Sequence, residues 1–159
     1  MFLSKRKNIF LTSFFLLVFL LTINDIKSQE LKVVDGDTIH LDGEKIRFTG
    51  IDTPELKQTC IKNGVKDFCG ITAKLILINK IGNNNVECIR EGKDQYKRTL
   101  AECFVNNESL SSYLVRSGYA FAYKKYSKKF VRDEDYAKTN QIGMWSMKFE
   151  YPWDYRKNK

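Results

Sequence analysis

The chain has 159 residues, of which 43% are apolar and 29% are charged, and its formal net charge is +8. This composition excludes disordered and repetitive proteins and predicts one globular domain with enough chain to bury a core. The positive charge suits a polyanionic partner such as nucleic acid, although it also serves ordinary solubility.

The N-terminal segment is predicted to be a signal peptide, so the chain divides into residues 1–28 and a domain at 29–159. Basic residues at 5–7 precede an apolar run at 9–23, which is shorter than the roughly 20 residues that span a bilayer. An uncleaved anchor is the alternative, because Ile26 is not the small residue preferred near a cleavage site. Removing residues 1–28 takes away four of the 27 basic and one of the 19 acidic residues and leaves a net charge of +5.

The first half of the domain is predicted to be mostly strands. Residues 31–41 are predicted to form a strand, Asp42-Gly43 is a hairpin signal, and alternating residues 45–51 predict the next strand. The run 52–55 ends that strand because Pro54 lacks an amide donor and restricts the residue before it.

A loop and a helix are expected to follow these strands. Residues 56–69 indicate a loop, and the spacing of Ile71, Leu75 and Ile78 predicts a helix over 70–81. Residues 86–90 and 99–105 are predicted to form a hairpin around a polar turn at 91–97.

The C-terminal half is predicted to be helical. Asn107 is expected to cap a helix that ends at Gly118, and a last helix runs over about 131–141. Strand runs followed by helices are typical of α+β proteins, and a five-stranded OB-type β-barrel capped by about three α-helices fits this order. No hydrophobic repeat or long apolar face indicates a protein partner, so we expect a monomer.

Four cysteines, an even number, indicate disulfides in an exported chain, periplasmic or secreted. Three pairings are possible. We favour Cys60–Cys69, which brackets the predicted loop, and Cys88–Cys103, which face each other if the hairpin is symmetric. The spacing is not that of paired zinc thiolates.

The titratable residues direct the chemistry towards carboxylates, arginines and a metal. The single histidine, His40, follows Ile39 in a predicted strand as an outward-facing residue, which disfavours Ser-His and Cys-His mechanisms. Asp37 and Asp52 fall at strand ends, and crowded carboxylates favour a hard cation such as calcium, which binds carboxylate and carbonyl oxygens. A solvated acidic turn is the plainer interpretation of the same residues.

Arginines add a phosphate-binding capacity to these acids. Arg47 lies in the strand that leads to Asp52, and Arg98 ends the polar turn of the later hairpin. Guanidinium groups bind phosphate oxygens bidentately and stay charged, although each arginine alone is more typical of a surface ion pair.

The combination resembles the staphylococcal nuclease (thermonuclease) family. The runs VVDGDTIHL, IRFTGIDTPE and DQYKRTLAEC match it in order and spacing, and the later segments SLSSYLVRSGYAFAYKKYS, GMWS and PWDYR resemble exported bacterial members with paired cysteines. The resemblance covers about residues 31–155.

This resemblance implies a role for each matching residue. Asp37 and Asp52 would bind calcium, with the carbonyl of Thr53, and Glu55 would activate the attacking water. Phosphate binding and charge stabilisation would fall to Arg47 and Arg98. One position departs from the family, which usually has glycine where this chain has Lys97. A positive φ there would cost lysine about 1–2 kcal/mol.

The implied reaction is hydrolysis of phosphodiester bonds in DNA and RNA, with little base specificity. The family cleaves on the 5′-oxygen side and leaves 3′-phosphates. Aromatic residues alternate with lysines over 119–129, where Tyr123 and Lys124, together with Lys97 of the hairpin, are candidates for substrate binding. Core packing of the same aromatic residues is an equal alternative, and Trp145 and Trp153 are expected to hold the C-terminal segment on the domain.

Two other classes of function use the same residues. A non-catalytic nucleic-acid or protein-binding module of this fold would bind without calcium-dependent cleavage. A disulfide-stabilised envelope or secreted protein with a structural calcium would need a closed shell of oxygen ligands and would not use Arg47 or Arg98.

Overall fold

A computed structural model describes residues 28–159. The predicted signal peptide at 1–28 lies outside the described residues apart from Ser28. Among the residues described, no helix combines the length and the apolar character that crossing a membrane requires.

Short strands and four helices alternate along this part of the chain. The strands are β1 Leu31–Val33, β2 Thr38–Leu41, β3 Glu44–Phe48, β4 Ile51–Asp52, β5 Cys60–Lys62, β6 Val65–Asp67, β7 Glu87–Lys93, β8 Thr99–Val105, β9 Glu108–Ser109 and β10 Phe121–Ala122. The helices are α1 Cys69–Ile81, α2 Leu110–Arg116, α3 Val131–Thr139 and α4 Pro152–Lys157, and a 3₁₀ turn spans Gly143–Ser146.

The central sheet has six strands: five follow the order β1-β2-β3-β8-β7, and short β9 also pairs with β8. Neighbours are antiparallel except β3 and β8, which run parallel with Arg47 opposite Leu100. This is the predicted OB-type arrangement of an α+β domain. Within residues 28–159 no backbone ladder joins β7 to β1, but the Gln29 side chain spans the gap. Its amide donates to the Val86 carbonyl at 2.8 Å and accepts from the Val86 N–H at 2.7 Å.

The main core lies between this sheet and the helices. Ile39, Ile46 and Phe48 of β2 and β3 form one buried cluster with helix residues. These are Leu77 and Ile81 of α1 and Leu110 and Leu114 of α2. Helix α1 confirms the predicted helix, but its apolar spacing does not mark the buried face. Ile71, Leu75 and Ile78 are exposed, whereas Ala73, Leu77 and Ile81 are buried.

The first predicted strand is instead a hairpin. Residues 34–37 turn the chain between β1 and β2, with the Val34 N–H donating to the Thr38 carbonyl at 2.9 Å. The prediction of one strand over 31–41 was wrong because Asp35-Gly36-Asp37 carries turn residues that outweigh the apolar residues around them. The next predicted strand is also divided, because Gly50 takes a φ of 71° and sends β4 to pair with β10.

Two further segments differ from the sequence prediction. The predicted loop at 56–69 contains the small β5–β6 hairpin. Helix α2 is capped by Ser109, whose hydroxyl accepts from the Ser112 N–H, and not by Asn107. Asn106 and Asn107 have φ values of 50° and 63° and form the turn between β8 and β9, for which paired positive φ values favour asparagine.

The β7–β8 hairpin carries one of two disulfides. Cys88 lies directly opposite Cys103 and is bonded to it, and Cys60 is bonded to Cys69, so both favoured pairs are present. At the tip of this hairpin Lys97 has a φ of 63°. The left-handed conformation that the glycine of the family would adopt easily is therefore retained with a lysine in place.

The C-terminal segment packs on a second, aromatic cluster around buried Phe121. The rings of Trp145 and Trp153 lie 5.4 and 6.1 Å from the Phe121 ring, which agrees with their expected role in holding this segment on the domain. Helix α4 was not predicted, although Pro152 at its start and basic residues in its last turn are helix signals.

Gln58 connects the loop after β4 to the C-terminal segment. Its side chain is fully buried, accepts from the Glu55 N–H at 3.1 Å and donates to the Glu150 carbonyl at 2.7 Å. The loop that carries Glu55 is therefore fixed to a segment 92 residues away in the sequence.

We expect Gln58→Leu to lower the free energy of unfolding by about 1–3 kcal/mol, because it leaves two backbone groups without partners in a partly buried site. Urea denaturation measures this change. Gln95→Leu at the exposed hairpin tip is the matched control and should stay within about 0.5 kcal/mol of wild type. Equal effects of the two substitutions would contradict the assigned role of Gln58.

Lys97→Gly and Lys97→Ala remove the same charge but differ in backbone freedom. Because alanine keeps the steric penalty of a positive φ, we expect the glycine variant to be the more stable of the two by about 1 kcal/mol, reduced by the greater freedom of glycine in the unfolded chain. Parallel urea denaturation of the two variants tests this, and an alanine variant as stable as the glycine variant would show that the hairpin tip is unstrained.

Candidate active site

Two buried aspartates and one arginine form the centre of the candidate site. Asp37 follows the β1–β2 turn and Asp52 ends β4, and their side chains are 7% and 1% exposed. Arg47 of β3 forms an ion pair with Asp37, donates to Asp52 Oδ1 at 2.9 Å and donates to the Ile51 carbonyl at 3.3 Å. Burial lowers the pKa of Arg47, whereas the charges of Asp52 and Asp35 raise it.

Thr53 completes this centre from the start of the next loop. Asp37 Oδ2 accepts from the Thr53 N–H at 2.9 Å and from its hydroxyl at 2.8 Å. A Cβ at position 36 would lie 2.8 Å from the Thr53 hydroxyl oxygen, so glycine is required for this close approach. The predicted calcium ligands Asp37, Asp52 and Thr53 are thus in one place.

Glu55 lies two residues beyond Thr53, with its side chain 40% exposed. Its backbone packs directly on the first turn of α1, where a Cβ at position 70 would come 1.8 Å from the Glu55 carbonyl oxygen. Gly70 and Gln58 therefore set the position of Glu55 from opposite sides, and neither was identified from the sequence.

A third residue that sequence reasoning missed is Arg156 of α4. It donates to Asp52 Oδ2 at 2.6 Å, to Asp52 Oδ1 at 3.2 Å and to Glu55 Oε1 at 2.9 Å. Partial burial opposes its charge, but the hydrogen bonds to Asp52 and Glu55 outweigh burial and raise the pKa of Arg156 above its ordinary value. Arg156 joins the predicted general base to the predicted metal ligand.

Arg98 reaches this area from the hairpin tip. It precedes β8, whose Thr99 lies opposite Ile46 of β3, and its charge contributes to lowering the pKa of Arg47. Its Nε donates to Asp94 Oδ2 at 2.7 Å. Burial alone would raise the pKa of Asp94, but hydrogen bonds from the side chain and backbone of Arg98 hold this pKa below its ordinary value.

Two of the three substrate-binding candidates line the same cavity, and Lys97 is not among the residues that line it. Tyr123 and Lys124 line a cavity of about 410 Å³ with Tyr151, Trp153 and Lys157. The Lys124 ammonium lies 2.5 Å from buried Glu134, and this hydrogen bond raises its pKa. Lys97 is exposed at the hairpin tip. The Tyr123 and Trp153 rings are parallel within 4°, at a centroid distance of 5.8 Å, so the cavity has an aromatic wall.

The donor set suits a hard cation that is only partly enclosed by protein. Two carboxylates and the Thr53 carbonyl are oxygen ligands of the kind that calcium binds. Within the described part of the chain, no group of three or more His, Cys, Asp or Glu side chains is arranged to hold a metal. A cation held by this set would therefore leave several coordination positions for water and a substrate oxygen, as a catalytic metal requires.

Comparison with known proteins identifies the family to which the chain is similar. The family model described as staphylococcal nuclease homologue matches residues 45–147, which is more than half of the chain. Arg47, Asp52, Glu55 and Arg98 fall inside that match, whereas Asp37 and Arg156 fall outside it.

Individual relatives carry nuclease names. The chain is 30% identical over 151 residues to an uncharacterized endonuclease of Haemophilus influenzae, covering 89% of this chain and 80% of that protein. It is 31% identical over 118 residues to the probable staphylococcal-like nuclease CAN3 of Oryza sativa subsp. japonica, covering 72% of this chain and 29% of the rice protein. It is 30% identical over 128 residues to the SPbeta prophage-derived endonuclease YokF of Bacillus subtilis, covering 72% of this chain and 42% of the Bacillus protein.

The chain thus spans less than half the length of the rice and Bacillus relatives. The family match and the Haemophilus relative, which aligns over most of both chains, are sufficient for the assignment. The chain belongs to the staphylococcal nuclease homologue family.

Proposed function

We propose that the protein is a calcium-dependent endonuclease that hydrolyses phosphodiester bonds of DNA and RNA. The observation that carries this proposal is the direct contact of Arg47 with both buried aspartates. Glu55 is linked to Asp52 through the guanidinium group of Arg156, which donates hydrogen bonds to both. Candidate oxygen ligands for a metal, a candidate phosphate-binding arginine and a candidate proton acceptor therefore lie close together, which supports the proposal.

Asp37, Asp52 and the Thr53 carbonyl would hold the cation. Calcium, when bound, supplies positive charge that stabilises a phosphate oxygen and polarises a neighbouring water. A structural calcium is less well supported, because two carboxylates and one carbonyl do not make a closed shell of six to eight oxygens.

Arg47 and Arg98 would bind the phosphate oxygens. Arg47 is fixed by Asp37, Asp52 and the Ile51 carbonyl, so its orientation is set before substrate arrives. Preorganised donors that bind more tightly as charge develops on phosphate lower the barrier without costly rearrangement. Arg98 is held more loosely, by Asp94 at the hairpin tip.

Glu55 would accept the proton of the attacking water. The carboxylate is partly exposed, so water can reach it, while Gln58 and Gly70 fix the backbone that carries it. Proton acceptance by a positioned carboxylate typically contributes about 10²–10⁴-fold to the rate.

The substrate class follows from what the site contacts. A mechanism on phosphate oxygens needs no 2′-hydroxyl, so DNA should serve as well as RNA, with products that carry 3′-phosphates. Tyr123 and Trp153 offer stacking surfaces, and Lys124, Lys125 and Lys157 at the cavity offer positive charge, so base specificity should be weak and affinity should fall with salt. Two disulfides are typical of a protein that folds in an oxidising compartment, which supports export as a periplasmic or secreted protein.

Glu55→Gln should reduce cleavage of single-stranded DNA by about 10²–10⁴-fold, because the amide cannot accept the proton of water. Cleavage is measured by gel electrophoresis in calcium and in chelator. Glu91→Gln, an exposed glutamate of β7, is the matched control and should leave the rate unchanged. Cleavage by Glu55→Gln near the wild-type rate would refute Glu55 as the base. Calcium-independent binding of DNA by the wild-type protein, without cleavage, would favour the non-catalytic module.

Arg98→Ala should reduce the cleavage rate by about 10²–10³-fold, on the scale for loss of one preorganised donor to a developing oxyanion. The same assay applies, with Arg90→Ala as control, since Arg90 pairs with Glu44 on an exposed face of the sheet. If both arginine variants lose activity equally, the loss reflects general charge and not a specific phosphate contact.

A further inference from the structure

Arg156 occupies the place where a cation would contact Asp52. Its guanidinium reaches both Asp52 oxygens and one Glu55 oxygen at 2.6–3.2 Å. It belongs to α4, which lies beyond the 45–147 match of the family. The third arginine of the site therefore comes from a segment that the family match does not describe.

The carboxylate oxygens of the centre already have donors. Asp37 Oδ2 contacts Arg47 and both donors of Thr53, and Asp52 Oδ1 contacts Arg47 and Arg156. Among the residues that the structure describes, Asp52 Oδ2 contacts Arg156 alone. A cation that binds Asp52 would compete with Arg156, because two positive charges close to the same carboxylate oxygens repel each other.

The two arginines differ in how firmly they are held. Arg47 is 13% exposed and also donates to a backbone carbonyl, so it is part of the buried centre. Arg156 is 40% exposed, and within residues 28–159 its side chain donates hydrogen bonds to Asp52 and Glu55 only. Helix α4 has its own anchors in buried Pro152 and in Trp153, whose ring stacks on Tyr123 and lies 6.1 Å from the Phe121 ring. The Arg156 side chain can therefore leave without loss of the helix.

We propose that Arg156 is a displaceable counter-charge of the metal site. In the metal-free protein it neutralises Asp52 and links this residue to Glu55, and a divalent cation that binds Asp52 expels it into solvent. This inference rests on the proposed calcium site. Expulsion frees Glu55 at the same time, so cation binding and availability of the proposed base are one event, and the site fills only at calcium concentrations that outcompete the arginine.

The test is calcium affinity, which is independent of cleavage. Isothermal titration of calcium into the metal-free protein compares wild type with Arg156→Gln, Arg156→Lys and Lys157→Gln. Lys157 follows Arg156 on the same helix and pairs with Asp154, so it controls for the loss of one positive charge. We expect Arg156→Gln to lower the Kd roughly tenfold, since it removes charged hydrogen bonds that the cation must break. The Kd of Arg156→Lys should lie between those of wild type and Arg156→Gln, and the Kd of Lys157→Gln should stay within about twofold of the wild-type value.

Melting temperature in chelator separates competition from structural support. Competition predicts that Arg156→Gln melts at a lower temperature than wild type without calcium, yet gains more stability when calcium is added. Calcium affinity that is unchanged or weaker in Arg156→Gln would overturn the inference and leave the calcium site intact. Absence of a calcium-binding heat in both wild type and Arg156→Gln would instead refute the proposed metal site itself. Arg156→Lys gives the same comparison if the glutamine variant does not fold.

Discussion

Burial of two carboxylates is the constraint on which the rest of the site depends. Asp37 lies at the end of the β1–β2 turn and Asp52 lies in β4, and both are almost entirely out of solvent, where like charges destabilise each other. Arg47 contacts both and makes their burial tolerable, and removal of one partner from such a buried cluster typically costs about 3–5 kcal/mol. The fold therefore has to bring Arg47 of β3 into contact with both the β1–β2 turn and β4, and this requirement determines how these three segments are placed in the site.

The loop after β4 is held from several directions because the proposed base lies on it. The first turn of α1 packs under its backbone through Gly70, Gln58 ties it to the C-terminal segment, and the Cys60–Cys69 disulfide closes the segment that follows. The surrounding residues thus fix the backbone of Glu55, although its side chain is partly exposed. The same supports bring Arg156 into the site, since Glu150 and α4 belong to one continuous segment.

Sequence patterns predicted the elements whose signal is local, and they failed where tertiary contacts decide. The hairpins at Asp42-Gly43 and around Cys88 and Cys103 have their own turn and alternation signals, and the residues of the centre stand in recognisable motifs. The apolar spacing in α1 marks a helix but the wrong face, because Ala73 and Gly70 allow a close approach that larger residues would prevent. Gln58 and Arg156 act through partners 92 and about 100 residues away, and no local pattern carries such information.

The parallel pairing of β3 with β8 has a consequence for when the protein becomes active. These strands are joined by about fifty residues, whereas the disulfides span 9 and 15 positions, so the crosslinks shorten the loop that must close only slightly. Pairings of such long range form late and slowly in folding. Arg98 reaches the neighbourhood of Arg47 only when this pairing is complete. Under the proposed assignment, an incompletely folded chain would already contain the local β1–β2 turn with its acids, but it would lack the second phosphate-binding arginine. Hydrolysis would therefore begin only once folding is complete.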